Sequence, residues 1–140
     1  MSKTPILRVL ARGEQLAVVG EFVNAAAREA GLSERLAYHV QTAVDEACAN
    51  IIYHAYDYEG QGTIEIRCEC RHNDFIVTIV DHGHPFDPGA VPEPDVTADL
   101  HERHEGGLGR YLMQKLMDEV HHDFTREGNV LTMVKHLARS

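Results

Sequence analysis

Residues 63–81, TIEIRCECRHNDFIVTIVD, decide the fold. Ile64, Ile66, Cys68 and Cys70 alternate with Glu65, Arg67, Glu69 and Arg71. A period of two puts the apolar set on one face of an extended chain and the charges on the other, which predicts a strand with one wet face, as antiparallel sheets have. Asn73 and Asp74 supply a tight turn into FIVTIVD, a nearly continuous apolar run expected to lie deeper in the same sheet. The two runs form a hairpin. Cys68, Cys70 and His72 share a face, but no C-x-x-C pair or H-x-x-x-H spacing accompanies them. The alternation explains both cysteines as core residues.

Outward from this hairpin the period changes. EQLAVVGEFVNAAAREA, residues 14–30, repeats apolar residues at helical spacing through Leu16, Val19, Val23, Ala26 and Ala30, and Gly31 stops it. Ser33 caps a second helix with the stripe Leu36, Val40, Ala43, Val44, Ala47 and Ile51. A short strand over Ile6–Leu10 is expected ahead of both. After Asp81 comes a loop from His82 to about Glu105 that holds four of the chain's five prolines. A third helix follows with Leu108, Leu112, Leu116 and Val120, and HHDFTRE, GN and VLTMVKHL close the chain as a second hairpin. Strands clustered in pairs with helices between them indicate an α+β two-layer sandwich, its sheet mostly antiparallel and its helices on one face. A chain of 140 residues accommodates one such domain, residues 1–140.

Composition excludes several functions. The formal charge of -9, with no local Lys/Arg cluster, repels a phosphate backbone, so no nucleic-acid partner is expected. No apolar run reaches signal-peptide or membrane-span length, and three cysteines are an odd number, so a cytoplasmic protein with reduced thiols and no membrane contact is expected.

Three stretches carry candidate chemistry. In HEGGLGRYLM, Gly106, Gly107 and Gly109 fall where a helix begins, and glycines there let backbone N–H groups approach an anion that the helix dipole favours. The same glycines also suit a loop needing positive φ angles. The stretch matches neither the P-loop nor the dinucleotide-binding fingerprint. In VDEACANIIYHAY, Glu46 and Asn50 are one turn apart on one helix flank, where a carboxylate could act as a general base and an amide oxygen could ligate Mg2+. A solvated helix edge would read the same way. In VDHGHPFDP, Asp81 ends a deep strand, an unusual place for an acid unless it caps a turn or accepts from a bound donor such as an adenine amino group, and Gly83 permits close approach.

Taken in this order, Glu46-x-x-x-Asn50, Asp81-x-Gly83 and Gly107-Leu108-Gly109 resemble the motifs of the ATP-binding domains shared by histidine kinases, Hsp90 chaperones, type II topoisomerases and MutL proteins. The resemblance spans about residues 10–138. The small size, NIIYHAY, PFDP and GGLGRYLM look most like the bacterial anti-sigma-factor serine kinases, which phosphorylate a serine on a small STAS-type antagonist and in many members sequester a sigma factor.

The resemblance implies ATP and Mg2+ as cofactors. It gives Asn50 to Mg2+, Glu46 to the attacking hydroxyl as base, and Asp81 to the adenine amino group. Gly83 would lie beneath adenine, Gly106, Gly107, Leu108 and Gly109 at the phosphates, and Thr132, on the late strand, would support adenine through the water network of Asp81. It implies a lid over about 86–105, made acidic here by Asp87, Glu93, Asp95, Asp99, Glu102 and Glu105 against Arg103. Pro85 stands where many members have a second glycine. Related regulators are commonly dimeric, so a homodimer to which Leu16, Val19 and Phe22 contribute is also implied. Two rival functions share the pocket: an ATP-binding partner switch without transfer, and a detached histidine-kinase catalytic domain.

Overall fold

The computed structural model describes residues 4–84 and 105–137, with only the backbone course for 105–110. Strand β1, Ile6–Leu10, leads through a short 3-10 turn at Gly13–Gln15 into α1, Leu16–Glu29, and α2, Glu34–Asn50. The hairpin of β2, Thr63–Arg71, and β3, Asp74–Asp81, follows. Helix α3, Glu105–Leu116, then precedes a second hairpin of β4, Glu119–Thr125, and β5, Gly128–His136. The five strands form one sheet in the order β1-β2-β3-β5-β4, with every neighbouring pair antiparallel.

Alternation decides which sheet face is covered. Ile64, Ile66 and Cys68 of β2, Phe75, Val77 and Ile79 of β3, and Leu131 and Met133 of β5 are buried. Against them lie Val19, Val23 and Ala27 of α1, Val40, Val44 and Ala47 of α2, and Met113 of α3. Gly31 ends α1 at φ 106°, and the Ser33 side chain accepts from the Leu36 N–H at 3.1 Å, capping α2 as its position predicts.

Five expectations change. The β2–β3 turn is His72–Asn73, one residue earlier than expected, with φ of 52° and 70°; positive φ at both central residues is the two-residue turn whose twist matches a hairpin. Cys70 is exposed because it lies at the sheet's end, beyond the helices, whereas Cys68 is buried. The third helix stops at Leu116, and Val120 belongs to β4, since the Asp118 N–H already bonds the Val134 carbonyl of β5. The closing turn is Arg126–Glu127, and Gly128–Asn129 begins β5. Val19 is 1% exposed and packs in the chain's own core, so it offers nothing to a dimer interface; Leu16 and Phe22 are half-buried beside it. Apart from Glu105, the expected lid lies outside the described residues.

Candidate nucleotide site

The end of α2 carries Glu46 and Asn50, one turn apart. Asn50 is the last α-helical residue and 7% exposed, and among the described residues its amide has no hydrogen-bond partner. Directly after it the helix widens into a π turn, Ile51–Ala55, a local expansion often found at functional sites. Burial raises the Asp45 carboxyl above its ordinary range. Burial also pushes the Cys48 thiol up, reinforced by the Asp45 and Asp81 carboxylates beside it, so Cys48 is inert packing under the end of β3.

Asp81 is 3% exposed at the end of β3. Its Oδ1 accepts from the Gly83 N–H at 3.0 Å and from Asn129 Nδ2 at 2.8 Å. The carboxylate therefore caps the turn with one oxygen, while Oδ2 has no donor among the described residues. A buried carboxylate with one oxygen anchored and one unused is a fixed acceptor, the chemistry that selects an amino group. The turn-capping reading of Asp81 is thus the geometry observed, and Oδ2 is left as an acceptor. Gly83 is required for a reason nearer than a ligand: a Cβ there would collide with the backbone and Cβ of Ala55 in the π turn.

Asn129, 3% exposed, was not singled out by sequence. It bonds Asp81 and reaches the Gly83 carbonyl at 3.3 Å. The strand register explains why Asn129 rather than Thr132 supports Asp81. Asp81 faces Asn129 across β3–β5, whereas Thr132 faces Thr78, three residues away and on the opposite sheet face. The Thr132 assignment is corrected accordingly. The sequence signal is the dipeptide Gly128-Asn129, which by itself reads as a turn. Gly128, at φ 120°, opens the strand where a Cβ would strike the Asp81 carbonyl.

Gly106, Gly107 and Leu108 lie in the first turn of α3, and Gly109 opens the second, where the N–H groups bond back within the helix; α3 packs against α2. Backbone N–H groups at the start of the first turn have no intrahelical acceptors, and the helix dipole makes the end electropositive. The donor set suits a nucleotide with a bound hard cation: the Asn50 amide at the end of α2, without a partner among the described residues, an anchored carboxylate with a spare oxygen, and a glycine-rich helix start. Among the described residues no group of three or more His, Cys, Asp or Glu side chains could hold a metal by itself, so a cation here would need oxygens from its ligand.

The chain matches the model of the histidine kinase-like ATPase domain over residues 9–135. It is 34% identical over 137 residues to serine-protein kinase RsbW of Halalkalibacterium halodurans, covering 95% of this chain and 83% of that one. Against serine-protein kinase RsbW of Bacillus subtilis the identity is 31% over 137 residues, covering 94% and 84%. Among solved structures, the RsbU and RsbW domains of Rv1364c from Mycobacterium tuberculosis share the fold with a TM-score of 0.68 at 16% identity, covering 99% of this chain and 34% of that one. The chain belongs to the histidine kinase-like ATPase domain family, among the serine-protein kinases related to RsbW.

Proposed function

We propose that this chain transfers the terminal phosphoryl group of ATP to a serine of a small STAS-type anti-anti-sigma protein and, in alternation, holds a sigma factor. The observation that carries the nucleotide half is the spare oxygen of Asp81, fixed through its partner oxygen by Gly83 and Asn129. Asp81 accepts from the adenine amino group, and the N–H groups of Gly106 and Gly107, which have no acceptors within the helix, hold the phosphates at the glycine-rich start of α3. Asn50 supplies an amide oxygen to Mg2+, which when bound offsets phosphate charge. Glu46, one turn before Asn50, takes the proton from the serine hydroxyl. The chain's contribution is then mostly positioning, as phosphoryl transfer requires. The partner assignments are supported by the kinship to RsbW alone.

Transfer from labelled ATP to a cognate STAS-type protein tests this. Glu46→Gln keeps size and hydrogen bonding but removes the base, so ATP affinity stays and transfer falls by roughly 10²–10⁴-fold. Equal transfer by the variant removes Glu46 from the mechanism. Tight ATP binding with no transfer by the wild type makes the chain a nucleotide-dependent binding module, and acid-labile phosphate on the acceptor makes it a histidine kinase.

A further inference from the structure

We infer that Tyr56 is a positioning residue for the nucleotide: with Ala55 it ties the Asp81–Gly83 turn to the end of α2, making the base end and the phosphate end of the site one rigid unit. The inference rests on the ATP reading above and concerns how that site is held.

The sheet stops positioning the chain at Asp81, whose ladder partners are Ile64 and Asn129. Beyond it, the backbone donors on either side of Gly83 go to two consecutive residues at the end of the π turn. The His82 N–H donates to the Tyr56 hydroxyl at 3.0 Å, and the His84 N–H donates to the Ala55 carbonyl at 2.5 Å. Gly83 rests on Ala55 between them, at a distance no side chain would permit. The Tyr56 hydroxyl also donates to the Thr63 carbonyl at 2.7 Å, so one oxygen joins the end of α2, the start of β2 and the exit of β3.

The ring is 9% exposed, and Gly62 leaves room for it: a Cβ at 62 would overlap the ring carbons. Glu46 and Asn50 lie upstream on the same continuous helix and π turn. Residues 55 and 56 therefore set the distance between the acceptor for the base and the groups assigned to metal and proton. A tyrosine that only filled the core would serve as well without its hydroxyl. Here both hydrogen bonds of the hydroxyl are to backbone, and one is to the base-recognition turn.

Tyr56→Phe keeps the ring and deletes both bonds. Calorimetry with Mg-ATP and Mg-ADP, steady-state transfer, and amide exchange on the full chain read the effect. Two lost hydrogen bonds, one of them at the turn, should weaken ATP and ADP alike by about tenfold. The turnover at saturating ATP should stay within about twofold, since the phosphate end is untouched. Exchange should quicken at His82 and Gly83 but not at the centre of β3. A folded Tyr56→Phe with unchanged affinity for both nucleotides overturns the inference while leaving the ATP reading intact. Failure of the wild type to bind ATP overturns both. Should the variant not fold, the wild type decides: its His82 amide should be protected before nucleotide is added, and exchange as fast as in an unstructured peptide overturns the inference.

Discussion

Asp81 shows how a single residue can be both a structural cap and a candidate ligand. A carboxyl group in a 3% exposed position needs partners, and it has two on one oxygen. Removing one of them by Asn129→Ala should cost about 1–3 kcal/mol in urea denaturation, the range for leaving a buried polar group short of a partner, and should weaken ATP binding. Thr132→Val, on the other sheet face, should shift stability by no more than about 0.5 kcal/mol and leave nucleotide affinity unchanged. Equal effects from both substitutions would mean that the register does not determine which residue supports Asp81. Asn129 escaped notice in the sequence because a Gly-Asn pair reads as a turn, and only its pairing opposite Asp81 gives the amide a task.

Among the elements, the edge strand β1 carries an ion pair directly across its ladder to β2. Arg8 lies directly across from Glu65, with Arg8 Nε 2.7 Å from Oε1, and Arg67 on the same strand reaches the other oxygen. Burial alone would raise the Glu65 carboxyl, but hydrogen bonds from the two arginines and their charges outweigh it, so the net shift is downward from 4.5. A carboxyl depressed on folding contributes stability that is complete above its unfolded value and is lost as pH falls through its folded value. The stability difference between wild type and Glu65→Gln should therefore be constant from pH 6 to 7 and shrink as pH falls below about 4.5. Denaturation midpoints across that range check it, and a difference that grows toward acid would reverse the sign. Arg8 is mostly exposed, so the difference should be small and reduced by salt.

On the scale of the whole molecule, ligand binding should appear as global stability, because the ends of α2 and β3 that hold the site are also parts of the core. At a hundredfold excess over Kd, a ligand specific to the native state adds about 2.7 kcal/mol, which for a chain of this length raises Tm by roughly 5–10 °C. Mg-ATP should produce such a shift. Chelating the metal should remove most of it if Asn50 acts through Mg2+. A melting shift that chelation leaves unchanged would refute the metal's role.

What the sequence determined by itself was whatever repeats at a short period. The alternation of 63–71 set the sheet and its wet face, the helical stripes of 16–30 and 36–51 set the layer above it, and Ser33 and Gly31 set helix ends, because propensity and periodicity act within a few residues. Of the motif residues only Asp81 was out of place in its local pattern, an acid ending an apolar strand; Glu46, Asn50 and Gly83 were marked by the resemblance of their motifs, since a solvated helix edge or a loop reads the same way. Tertiary structure alone decided the rest. The turn at His72–Asn73, the end of α3 at Leu116 and the choice of Asn129 over Thr132 all depend on how the strands pair, and a period of two fixes the faces but leaves the register free to slip by two residues. Tyr56 belongs to the same group: its hydroxyl joins residues 63 and 82, and contacts so far apart in the chain leave no trace in any local window.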